Sequence, residues 1–469
     1  MMDDIKDCWK LDIAGAAKAI STKALSPVAL TQMMLDRIGR IDPHLLSYVT
    51  VLQSEALASA GQAEKEIAGG KYRGPLHGIP IAIKDIYDTK GVRTTACSKV
   101  RANYIPDQDC TVVRKFREAG AVILGKVTTH EFAFGFDSHP TRNAWNLDHI
   151  PSGSSGGSGA AIAAGLCFAA TGSDTGGSIR APAAANGIAG IKPTYGRVSK
   201  SGVAVLSWSL DHAGPMARTV RDLAILLGIM AGQDPLDPHT KDVPVPDYTA
   251  ALTGDIRGIR LGIPTNYFSE DVGPVVAEAV AAAIKKMESL GATIVPVTIS
   301  DLEGVLDCML AIAMSEASTY HQASLRATPE LFGDETRLLL EAGELMLATT
   351  YINAQRARVA VKAAFKQALR DVDALVTPTQ PTTALKIGQT TSRIGLREES
   401  VFAVSARFCA PFNVSGLPAA SVPCGFSPEM MPIGLQIVGK PFDEATVLRI
   451  ADAFERSTEW HQKYPSIAS

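Results

Sequence analysis

Apolar positions along the chain follow two rhythms. Leu30, Met33, Met34 and Ile38 recur at helical spacing after an N-cap at Ser26 and a proline at Pro27, and Asp42-Pro43 predicts where that helix stops. A second helix is predicted over 52–67, closed by Gly69-Gly70. Residues 1–75 thus read as an N-terminal helical part. The rhythm then changes: 77–85 is a short branched run bounded by glycine and proline, which predicts a buried strand carrying Lys84 near its end. After residue 109 helix and strand alternate. A helix capped by Asp109 or Thr111 runs through Phe116 to Gly120, and 121–125 is a continuous apolar strand of the kind covered on both faces. Further strands are predicted at 258–264, 292–297, 374–378, 419–423 and 433–438, among helical stretches such as 275–287 and 445–454. Residues 300–371 show no strand pattern, and Leu338, Leu339, Leu340, Leu345, Met346 and Leu347 make them richly apolar. The expected class is α/β: a central mixed β-sheet wrapped by helices, with a helical cap sub-lobe at 300–371. One domain over 1–469 is expected, with 76–230 as its core.

Composition narrows the partners. The chain is 46% hydrophobic and 20% charged, which excludes disorder, and its 40 glycines against 6% aromatics imply close backbone packing somewhere. A net charge of −3 offers no basic footprint for nucleic acid or anionic membrane. The longest small-apolar stretch, 160–170, falls short of the ~18 residues of a spanning helix, and the acidic start Met1-Met2-Asp3-Asp4 does not resemble an export signal. Seven cysteines lie scattered without a C-x-x-C, which reads as reduced thiols in the cytoplasm. A small-molecule partner is expected, with no nucleic acid, membrane, metal or cofactor; a homodimer stays open.

The chemistry concentrates between 151 and 197. Two Gly/Ser loops, 151–159 and 172–182, flank an alanine-rich helix. Thr175-Gly176-Gly177 leads into a helix expected to begin near Ser178, so its N–H groups could converge on an anion. A serine there could attack a carbonyl whose oxyanion the amides stabilise, an effect of about 3–4 kcal/mol per donor. Gly153-Ser154-Ser155-Gly156-Gly157 also fits the G-x-S-x-G elbow with Ser155 as nucleophile. An elbow follows a strand, however, and 146–151 reads as loop, while His212, His239, His321 and His461 have no catalytic context. Gly157-Ser158-Gly159 lacks the third glycine of a dinucleotide fingerprint, and His130-Glu131 lacks the second histidine of a zinc motif.

Gly153-Ser154-Ser155-Gly156-Gly157-Ser158 followed by Asp174-Thr175-Gly176-Gly177-Ser178-Ile179-Arg180-Ala181-Pro182 resembles the amidase signature family. The likeness extends upstream to Leu76-His77-Gly78-Ile79-Pro80 and Lys84, and downstream through 190–197, 209–218, Val376-Thr377-Pro378-Thr379 and Asn413-Val414-Ser415-Gly416-Leu417-Pro418. It implies that Ser178 is the nucleophile, that Ser154, twenty-four residues earlier, is a bridging serine on a cis peptide bond, and that Lys84 is the base. The oxyanion-hole amides fall on Thr175, Gly176, Gly177 and Ser178, with Ser155, Asp174 and Arg180 in support. Ser152 stands where the family usually has glycine. A base must be neutral, so burial should pull the Lys84 pKa down from about 10.4.

Two positions given below differ from the clamp that a family member acting on an amino acid needs and leave the acyl pocket apolar, so the expected activity is that of a stand-alone hydrolase of aryl or aliphatic amides, anilides and carbamates (urethanes) through an acyl-enzyme, with esterase side activity. The alternative within the family is the glutamine-hydrolysing A subunit of the glutamyl-tRNA amidotransferase. That protein carries an arginine after Phe-Gly-x-Glu, where this chain runs Phe332-Gly333-Asp334-Glu335-Thr336-Arg337, and an aspartate where this chain has Ala406 and Arg407. The alternative of another class is a non-catalytic scaffold or binding protein that retains the fold.

Overall fold

The computed structural model describes residues 5–395 and 397–468. Its strands are, in chain order, β1 (Tyr48–Val51), β2 (Pro80–Lys84), β3 (Val122–Val127), β4 (Ala169–Asp174), β5 (Ala189–Lys192), β6 (His212–Ala217), β7 (Arg260–Pro264), β8 (Thr293–Val297), β9 (Ala374–Pro378), β10 (Thr391–Ile394), β11 (Arg397–Ser400), β12 (Ala419–Phe426) and β13 (Pro432–Gly439). Eleven of them form one mixed sheet in the order β1-β3-β2-β4-β6-β5-β12-β13-β9-β7-β8, while β10 and β11 pair as a separate hairpin. Parallel pairing joins β2 to β3 and β4, and β7 to β8 and β9; the other contacts are antiparallel. No helix among the described residues is long and apolar enough to cross a membrane.

The α/β class and the helical cap hold. The strands at 258–264, 292–297, 374–378, 419–423 and 433–438 appear with ends shifted by a few residues, and 300–371 folds as Val305–Ala327, Asp334–Glu344 and Ala348–Ala368. Several boundaries differ. The first long helix, Pro27–Leu45, carries Pro43 in its last turn and stops only at Leu46, whose φ of 56° reverses the chain; the Asp42 carboxylate then accepts the Ser47 and Tyr48 amides. That reversal launches β1, and its pairing with β3 is what makes it a strand. The helix Thr111–Glu118 is capped by the Cys110 thiol rather than by Asp109 or Thr111.

Three inner strands, β4, β5 and β6, escaped the sequence pattern because Ala, Gly, Ser and Pro fill them in place of branched residues. Their smallness is required. A Cβ on Gly214 of β6 would stand 2.4 Å from the Ile191 carbonyl oxygen and 2.9 Å from Ile179 Cδ1, so only glycine lets the 178–180 segment press onto the sheet. Every residue from 151 to 194 is buried. The helices Gly156–Ala163 and Arg180–Asn186 pack together against this part of the sheet.

Candidate active site

Lys84 ends β2 in the interior, with no exposed surface. The branched residues before it hold the strand between β3 and β4, and its backbone N–H donates to Thr171 Oγ1 at 2.8 Å. Its Nζ lies 2.7 Å from Ser154 Oγ, 2.9 Å from Ser155 Oγ and 2.8 Å from Ser173 Oγ. Burial pulls its pKa down to about 7, against the opposing pull of Asp174, Asp211 and Cys97. The three hydroxyls suit both charge states. An ammonium can donate to all three, whereas a neutral amine donates to two and accepts a proton from the third.

The Gly153–Ser154 peptide is cis. The Ser154 carbonyl accepts the His130 N–H at 3.1 Å and the Ser138 hydroxyl at 3.0 Å. Ser155 N–H donates to the Ser178 carbonyl at 3.3 Å, which ties the two serine loops together. Ser178 itself is 4% exposed, at the junction between β4 and the helix Arg180–Asn186. That helix starts two residues later than expected, so Ser178 stands on the turn before it.

Asp174 shapes this turn. Its carboxylate accepts Gly177 N–H at 2.9 Å, Ile179 N–H at 3.1 Å, and the Arg180 guanidinium at 2.8 and 3.0 Å. Both side chains are fully buried. Burial pushes the Asp174 pKa up, but Arg180, Lys192 and Asn413 outweigh it and hold the carboxyl far below its usual range. Arg180 also donates to Asn413 Oδ1, Gln436 Oε1 and the Cys409 carbonyl, which fastens the turn to β13 and its neighbours. One amide of the expected oxyanion set is thereby engaged: Gly177 N–H faces Asp174, while those of Thr175, Gly176 and Ser178 make no hydrogen bond among the described residues. Oxyanion stabilisation would rest on these three.

Gly177 has φ of +138°, and a Cβ there would lie 2.7 Å from Cys409 Cβ. Gly177→Ala is therefore expected to destabilise the protein by about 1–3 kcal/mol and to slow acylation of Ser178. A thermal melt and the labelling rate by a fluorophosphonate check this; wild-type values in both would mean the turn tolerates a side chain.

Sequence reasoning missed Ser173, Phe136, Met309 and Cys409. Thr171 and Ser173 share a face of β4 with period two, a signal visible only once those residues are known to form a strand. A Cβ on Gly176 would meet Met309 Cε at 3.1 Å and Phe136 Cζ at 3.9 Å, so the wall beside the turn is apolar. A cavity of about 220 Å³ adjoins Ser173 and Thr175, with Val203, Leu206, Trp208 and Leu236 among its walls. His212 has a structural setting: its Nδ1 lies 2.6 Å from the Leu210 carbonyl, and burial keeps the ring neutral. Arg337 is half exposed and paired with Glu341. Arg407 is held by Asp271 and Glu399.

A family model described as Amidase matches residues 29–448. The chain belongs to the amidase signature family. Its relatives in the family include, from Geobacter metallireducens, the A subunit of the glutamyl-tRNA(Gln) amidotransferase, 43% identical over 96% of this chain and 97% of that one. An amidase of Pseudomonas putida is 42% identical over 98% of each. Among solved amidase signature structures, a bacterial aryl acylamidase superposes with a TM-score of 0.90 at 27% identity, covering 98% of both chains. This is a family of enzymes acting on carbon–nitrogen bonds.

Proposed function

We propose that the chain cleaves a carboxamide through an acyl-enzyme on Ser178, and that the amide is the side chain of glutamine, with ammonia leaving. The contact that supports the mechanism is the buried Lys84 Nζ on Ser154 Oγ. Neutral Lys84 takes the Ser154 proton while Ser154 takes that of Ser178, and the Ser178 oxygen attacks the carbonyl carbon. The Thr175, Gly176 and Ser178 amides hold the oxyanion. Proton return along the same relay releases ammonia, and water then hydrolyses the ester to the acid and free Ser178.

The relatives back glutamine as substrate better than they back the stand-alone hydrolase expected from sequence. The Geobacter protein is named as one component of an amidotransferase, so this chain would pass its ammonia to a partner protein.

A second reading, a stand-alone hydrolase of apolar amides, is favoured by Met309 and Phe136 beside Gly176, and by Ala406 where the amidotransferase has aspartate. The aryl acylamidase likeness supports the same reading. Anilides and carbamates would then be substrates.

Ammonia release from glutamine, set beside hydrolysis of a 4-nitroanilide and an aryl carbamate, separates the two. The first reading expects glutamine to win and the rate to rise with pH through about 7 as Lys84 loses its proton. Preference for the anilide supports the second reading. Turnover of none of them, by a chain whose Ser178 resists fluorophosphonate, would overturn both in favour of the scaffold alternative.

A further inference from the structure

The Ser154 carbonyl is held from both ends of one short segment, 130–138. His130 donates its backbone N–H and Ser138 its hydroxyl, and Ser138 Oγ also accepts the Gly156 N–H at 3.1 Å. Between these donors lies Phe136, whose ring stands beside Gly176 and Gly177 of the turn that carries Ser178. One loop thus braces both halves of the proposed relay.

A side-chain pair closes the same loop. His130 is buried at 8% exposure, and its Nε2 lies 3.7 Å from Asp137 Oδ1 and 3.4 Å from Glu335 Oε2. Asp137 precedes Ser138, whereas Glu335 belongs to the first turn of the cap helix Asp334–Glu344. A second strut runs alongside, from Gly333 N–H to Glu131 Oε2 at 2.9 Å. We propose that protonated His130 is a positioning residue: bridging Asp137 and Glu335, it locks the loop whose two donors hold Ser154, so that relay geometry depends on the charge of His130. This inference rests on the relay described under Proposed function.

Charge around the ring favours the imidazolium. Glu131, Asp137 and His139 of its own segment, Asp334 and Glu335 of the cap, and Lys99 with the Cys97 thiol line the same depression, where carboxylates outnumber cations. Burial lowers the His130 pKa, but the neighbouring carboxylates of Glu335 and Asp137 raise it above its ordinary value. Both carboxylates are about half exposed, so each contributes the modest amount of a screened pair. Two titrations then bound the reactivity of Ser178. It grows as Lys84 deprotonates and falls as His130 loses its proton.

The test is the rate of Ser178 labelling by a fluorophosphonate against pH, which needs no amide substrate, together with the NMR titration of His130 and of the Ser154 amide. Wild type should give a falling alkaline limb with the Ser154 amide titrating at the His130 midpoint. Glu335→Gln, an exposed change that leaves the core intact, should move the limb and the midpoint to lower pH by roughly 0.2–0.7 unit. His130→Gln should abolish the limb and lower the optimum rate about threefold to tenfold, the scale of a displaced but intact relay. A limb at the same pH in wild type and Glu335→Gln, or one that survives in His130→Gln, overturns the proposal. Absence of labelling at every pH would refute the nucleophile instead. The inference then stands or falls on whether the Ser154 amide follows His130 and the midpoint drops in Glu335→Gln.

Discussion

Ser178→Ala is expected to lower kcat by about 10⁴-fold or more, down to what binding and the remaining amides supply. The hydroxyl is the only atom that can carry the acyl group in the proposed mechanism, so nothing substitutes for it. Lys84→Met should lose a similar amount for a different reason. Ser154 would keep its place through its carbonyl contacts, but its hydroxyl would face a thioether that cannot take a proton. Because the two groups act as one unit, the double variant should be no slower than the slower single variant. The residual activity of Lys84→Met should also lose the rise through about pH 7, since the titrating amine is gone. Single-turnover acylation measures all three variants. Multiplying losses in the double variant, or a Ser178→Ala protein with wild-type turnover, would refute the relay.

Asp174→Ala should bring the largest loss of stability, about 3–5 kcal/mol, because it strands the Arg180 charge in a site with no solvent access. It also orphans the Gly177 and Ile179 amides, each a buried donor that had a carboxylate oxygen. Against a total of about 5–15 kcal/mol this is a large share, and Asp174→Asn offers a milder variant that keeps one acceptor. The pH dependence has a defined direction. The folded pKa of Asp174 is depressed, so its contribution is complete above the unfolded value of about 3.9 and disappears only as pH falls below that. The gap between wild type and variant in urea unfolding should therefore stay constant from pH 8 to about 5. A gap under about 1 kcal/mol would mean that Asn413, Gln436 and the Cys409 carbonyl suffice for Arg180.

Legibility in the sequence followed the kind of signal each part carried. Strands such as β3, β9 and β13 announced themselves because branched apolar side chains filled both of their faces. β4, β5 and β6 did not, since their close packing demands Gly, Ala and Ser, the residues that otherwise mark turns. Losing β4 as a strand concealed that Ser173 points the same way as Thr171, and with it the third hydroxyl on Lys84. The expected nest of four amides likewise overlooked that Asp174, three residues away, could turn its carboxylate onto Gly177.

From sequence alone came the α/β class, the helical cap, the family, and the residue types at Lys84, Ser154 and Ser178. These are encoded locally, in hydrophobic period and in short loops whose residues stand at fixed offsets. Only the tertiary structure decided that Lys84, seventy residues from Ser154, meets it at 2.7 Å, that its burial brings the pKa to about 7, and that His130 joins the cap to the Ser154 loop. The reason is that desolvation and contact depend on what the rest of the chain folds around a group, and no local pattern records which distant segments will do so.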